Sequence, residues 1–147
     1  MASTMTEALE VEKVSSHLHP EGSFDVADHE VPTGREEIWR FTPLKRLRGL
    51  HDDAALDGDG VGAEADAPEG VTVELIEPDS PLRGSSGFVP GDRIAARVWA
   101  AATRIWAVTI PEEAAPEAPV LVTLTGKDTD AATAGHVVIS AGRPNRG

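Results

Sequence analysis

Residues 51–70, HDDAALDGDGVGAEADAPEG, place the tightest limit on how this chain can fold. The run is acidic, rich in alanine and glycine and nearly free of large side chains. Ordering it would recover little apolar burial against the conformational entropy lost, so it reads as a linker or exposed loop. The chain then divides into an N-terminal helical region, 1–50, an acidic Gly/Ala-rich linker, 51–70, and an α/β segment, 71–147. Aromatic residues make up 4% of the 147, and 14 glycines and 11 prolines punctuate the rest, so one modest core is the most the chain can bury.

Charge and cysteine content exclude several function classes. The formal net charge of −12 repels phosphate and anionic lipid, which argues against nucleic acid as a partner. No stretch approaches the roughly 18 consecutive apolar residues of a membrane span, and the start MASTMTEALEVEKV lacks the basic and apolar regions of a signal peptide. A cytoplasmic address is therefore expected. With no cysteine, disulfides, thiolate catalysis and cysteine-ligated metal or cluster are excluded within these residues.

Local patterns set the expected elements. Leu9, Val11, Val14 and Leu18 only partly match helical spacing, so a short helix is expected there, ended by His19-Pro20-Glu21-Gly22. Thr33 followed by Glu36 matches a capping box and predicts a helix start. That helix cannot run past Thr42, which would cap a second short helix from Pro43 to about Arg48, stopped at Gly49. Val71–Ile76 reads as a strand ended by Pro78. From Asp92, the spacing of Ile94, Val98, Ala101 and Ile105 predicts a helix of about three turns that gives way near Thr103 to a strand through Ile110. Val120–Thr125 and His136–Ala141 read as two further strands. The last three strands start about fifteen residues apart, a spacing shared by antiparallel meanders and by the coils of a β-solenoid. The chain stops at Gly147 with nothing to cover a sheet edge, which points to a truncated product or fragment.

Few residues carry chemistry. Asp57-Gly58-Asp59-Gly60 alternates carboxylates as a calcium loop does, but Val61 and Pro68 stand where oxygen ligands are required, so a solvated linker is the better reading. His17 and His19 lack the further ligands an imidazole metal site needs, and His29, His51 and His136 are singletons. Ser85-Ser86-Gly87 has no neighbouring base, and no glycine-rich stretch ends in GK[ST]. No catalytic, cofactor-binding or metal site is therefore expected. The basic cluster Arg35, Arg40, Lys45, Arg46 and Arg48, beside Trp39 and Phe41, reads first as the solvated face of a helix pair and second as a docking surface for an acidic protein.

The run from Thr33 to Leu44, TGREEIWRFTPL, resembles the E-x-W-[K/R]-[Y/F]-T element near the N-terminus of SufB/SufD iron-sulfur cluster assembly proteins, and most closely actinobacterial SufD. Here Glu37, Trp39, Arg40, Phe41 and Thr42 carry the match. SSHLHPEGSFD upstream, a helix led by Gly91-Asp92-Arg93, a strand ending at Ile110-Pro111 and the run His136–Gly142 follow in the family's order. The resemblance implies an α+β fold, with short N-terminal helices leading into an incomplete right-handed β-helix. It further implies a non-enzymatic scaffold subunit with SufB-like and SufC-like partners in the cytoplasm, an iron-sulfur cluster only in the complete complex, and Glu37–Thr42 as the family motif and a partner contact. The family's β-helix, ATPase-contacting helices and cluster-assembly residues would lie beyond Gly147. Because solenoid coils are stabilised by stacking, an opening coil alone is expected to be marginal, with Trp39, Trp99 or Trp106 incompletely buried. The competing expectation is a small acidic stand-alone module that binds an acidic protein through the Trp39/Phe41 basic face. An independent enzyme ranks third, because no base, nucleophile or metal set converges.

Overall fold

The computed structural model describes residues 21–114 and 117–142. The expected helix around Leu9–Leu18 and the His17/His19 pair lie outside them. Among the described residues there are five strands, one α-helix and four single-turn 3-10 helices. Strands β1 (Val61–Asp66) and β4 (Leu121–Gly126) pair antiparallel as one sheet. Strand β3 (Ile105–Ile110) is the centre of the other sheet, with β2 (Thr72–Ile76) antiparallel on one side and β5 (His136–Ala141) parallel on the other.

This architecture overturns the expected helix-rich α+β fold leading into a β-solenoid. The structure is mostly β, its two sheets are small and open, and neither forms a solenoid. Even spacing of strands misled because it carries no information about partners. Strand β4 leaves the path between β3 and β5 to pair with β1, a strand from the stretch read as linker.

The N-terminal helices are also shorter than expected. Glu36 does fold its carboxylate back onto the Thr33 and Gly34 amides at 2.9–3.1 Å, which is half of a capping box. Gly34 between them takes φ +85°, however, and the turn that follows is a single 3-10 turn, Glu37–Trp39. The second is likewise one 3-10 turn, Leu44–Leu47, preceded by Pro43 with no side-chain cap and closed by Arg48 and Gly49 in left-handed conformations.

The helix α1 (Arg93–Ala101) forms as its sequence predicts, with the Asp92 carboxylate accepting the Ala95 amide at 2.9 Å. Its two arginines hold the irregular N-terminal segment by its carbonyls. Arg93 donates to Val26 and His29 oxygens and to Asp53, and Arg97 donates to Gly49, Leu50 and Ala54 oxygens. Single 3-10 turns leave carbonyls unpaired, and a guanidinium has enough donors to satisfy several at once.

The core centres on β3 and its neighbour β5, with single buried residues from α1 and the start of β1. Ile105, Ala107, Val108, Val138, Ala96, Ala102, Ala134 and Val61 are its buried apolar residues, half of them alanines. Trp39, Trp99 and Trp106 are all half-buried.

Residues 57–61 clasp the two sheets together. Asp57 bridges Thr133 and exchanges backbone bonds with Ala132 and Ala134, Thr103 donates to the Gly58 carbonyl, and Lys127 donates to that of Gly60. The acids read as a solvated linker are held here: Asp59 pairs with Arg104 at 3.0 Å and with Lys127 at 3.4 Å.

Candidate functional site

A mainly apolar groove lies over α1. In the helix, Ile94, Ala95, Val98 and Trp99 share one side at spacings of three to five, and all four are half-buried. Together with Trp39, Ser86, Phe88, Asp92, His136 and Val137 they line a groove of about 550 Å³.

Its aromatic wall is held from below by Arg83, which is only 7% exposed. The guanidinium lies 4.0 Å from the Trp99 ring centre, donates to the Trp99 carbonyl, donates to the Pro78 carbonyl at 3.2 Å, and reaches His136 Nδ1 through a long Nε–H bond of 3.5 Å. Around Trp99 the ring centroids of Phe24, His136 and Phe88 stand at 4.8, 5.0 and 6.0 Å. These are separations at which tilted aromatic pairs attract.

Burial, and secondarily the Arg83 charge, push the His136 imidazole below its ordinary pKa. Its Nδ1 accepts from Arg83, which places the remaining proton on Nε2. The folded state therefore takes up a second proton on this ring more weakly than the unfolded chain does. His136 contributes stability that is present above the unfolded value of about 6.5 and lost as pH falls through it toward the folded value. Thermal melts of the intact chain should show a midpoint that declines with acidification in that window more steeply than in His136→Gln; equal slopes would remove this role.

Ser86, Asp92 and His136 share the groove wall, yet each is committed elsewhere. The Ser86 hydroxyl accepts the Phe88 amide at 3.3 Å, Asp92 caps α1, and the partner of the imidazole is a guanidinium rather than a carboxylate. A serine nucleophile needs a base oriented by an acid, and this arrangement does not supply one. Among the described residues no group of three or more His, Asp or Glu could hold a metal ion, the Asp57–Gly60 loop included.

The residues of the sequence motif separate in space. Trp39 turns into the groove, while Phe41 is 87% exposed and Ile38 47%. Arg40 lies 3.9 Å from Glu37 and 5.5 Å from the Phe41 ring centre, all at the surface. Thr42 is half-buried and donates its amide to the Trp39 carbonyl at 2.9 Å. The basic cluster does not form one face with Trp39: Arg46 and Arg48 line a separate cleft opposite Asp57 and Asp130. Phe88 in the groove and Arg83 behind it were not singled out in the sequence, and Trp99 and His136 drew notice there only as an incompletely buried ring and a singleton histidine. The available signal was the apolar stripe Ala95, Val98 and Trp99 along α1.

Beyond Trp39 and Asp92 the groove runs into a second depression of about 240 Å³, bordered by Glu21, Asp28, Glu30, Glu36, Ile38 and Arg93. Hydrogen bonds from the Thr33 backbone, the Thr33 hydroxyl and the Gly34 amide hold the Glu36 carboxyl down to a pKa of about 2, so it is ionised throughout the physiological range.

No family model matches the chain, and no solved structure matches it. Curated proteins do. The chain is 39% identical over 117 residues, 80% of its length, to an iron-sulfur cluster assembly SufBD family protein of Mycobacterium leprae, covering 30% of that protein. Proteins of the same description from Mycobacterium bovis and Mycobacterium tuberculosis match at 39% identity over 117 residues, each covered to 29%. The chain thus spans about 30% of the length of the curated relatives it matches. The motif resemblance and this long alignment agree: over four-fifths of its length the chain is a homologue of iron-sulfur cluster assembly SufBD family proteins.

Proposed function

We propose that the chain serves as one segment of a SufD-like scaffold subunit in iron-sulfur cluster assembly, acting in the cytoplasm with SufB-like and SufC-like subunits. The single observation that carries this reading is the 39% identity sustained over 117 residues with relatives named for cluster assembly. The chemistry of the segment is consistent with a supporting role. It offers no thiolate for a cluster, having no cysteine, and the polar groups of its groove are engaged in structural bonds. In this reading the segment is no enzyme and holds no cofactor; the cluster is the cargo of the complete assembly. Its contribution is surface: Phe41 and Ile38, exposed on the family motif, and the aromatic groove beside them.

Removing the whole protein from its host should lower the activity of iron-sulfur enzymes such as dehydratases while leaving their polypeptide levels unchanged. Unchanged cluster occupancy in the depleted host would remove assembly from the proposal and favour a stand-alone binding module.

A further inference from the structure

We propose that the groove over α1 is a docking site for a segment of a partner protein that carries large apolar anchors followed by lysine or arginine. It concerns the groove already named as part of the segment's surface, and it stands on the lining of that groove and the charge beside it whether or not the scaffold reading holds.

Two properties define the occupant. The floor Ile94, Ala95 and Val98 and the walls Trp39, Phe88 and Trp99 form a concavity of about 550 Å³, a volume suited to bulky side chains. Apolar grooves of this kind accept anchors from a helix or extended segment. The second property is charge. Where the groove continues past Trp39, its border holds the carboxylates of Asp28, Glu30, Glu36 and Asp92. Among the described residues Arg93 is the one Lys or Arg on that border, and its guanidinium is already engaged by two carbonyls and Asp53. Hydrogen bonds to Glu36 and Asp92 hold these groups in place without cancelling their charge. A segment that seats apolar side chains on α1 therefore runs into a negative field, where basic residues are attracted and acidic ones repelled. That field also disfavours a second copy of this chain, which brings a net charge of −12 of its own.

The test is fluorescence anisotropy of three labelled synthetic peptides titrated with the intact chain. The first has leucine anchors followed by lysine and arginine, the second has the leucines replaced by serine, and the third has the basic residues replaced by glutamate. The first should bind about tenfold or more tighter than either other peptide, with affinity falling as salt is added. Phe88→Ala, at a 46% exposed position, and Glu30→Lys, at an exposed one, should each weaken it about tenfold. Glu64→Lys makes the same charge change on β1, away from the groove, and should leave binding unaltered. Equal binding of the serine peptide, or equal loss in Glu64→Lys and Glu30→Lys, would reduce the effect to non-specific attraction and overturn the proposal. Equal binding of the acidic peptide would overturn it as well.

Discussion

Gly58→Ala should destabilise the chain by about 3 kcal/mol, the upper end of the usual range for overpacking, and lower its melting midpoint by roughly 10 °C. A β-carbon at this position would stand 1.8 Å from the Ala101 carbonyl oxygen and 2.9 Å from its carbon. Both are backbone atoms at the end of α1, so no rotamer change relieves the clash. The loop cannot retreat either, because its carbonyl accepts both the Thr103 amide, at 3.0 Å, and the Thr103 hydroxyl, at 2.9 Å. Gly91→Ala is the matched control, since its β-carbon would meet nothing within 4 Å, and it should shift stability by no more than about 0.5 kcal/mol. Calorimetry on the two variants decides the matter. If both melt alike, residues 57–61 are not packed against the helix.

Ile105→Ala should cost about 3–4 kcal/mol, read from urea unfolding of the intact chain. The side chain is 0% exposed at the start of the central strand, paired with Ile76 on one side and His136 on the other. Half of the buried apolar residues are alanines, so few large side chains carry the core and each removal leaves a cavity its small neighbours cannot fill. Ile139→Ala, at a position 63% exposed on β5, should cost under about 1 kcal/mol. Similar losses at the two sites would mean that β3 is not the centre of the core.

These two positions also show which parts of the fold were legible. Strand β3, strand β5 and α1 stand where local pattern places them, because each is specified by its own residues: alternation over Ile105–Ile110, β-branched residues in His136–Ala141, and the Asp92 cap. Strand β1 was invisible for the opposite reason. Gly62, Ala63 and Ala65 give it no apolar face, and it is a strand only because β4, some sixty residues later, supplies its hydrogen-bond partners. Close packing at Gly58 and Gly60, which looked like linker composition, is what lets the clasp approach α1 and Thr133. The solenoid expectation failed on the same kind of information, since pairing partners are set by long-range contacts that strand spacing does not encode.

Part of the candidate site was legible too. Trp39 stood out within the family motif, and it does line the groove. Arg46 and Arg48 of the basic cluster line another cleft, so they do not share a face with Trp39. Arg83 and His136, which lie 53 residues apart in sequence, meet only because β5 pairs parallel to β3 and brings its first residue beneath the turn that carries Arg83.

The scaffold reading is tested most directly by co-purifying the whole protein that contains this segment with the SufB-like and SufC-like subunits of the same host, followed by size-exclusion chromatography and mass measurement. The expected result is one complex containing all three, disrupted or weakened by Phe41→Ser together with Ile38→Ser on the exposed motif. A whole protein that is folded but migrates alone, with both partners present and competent to bind each other, would contradict the account.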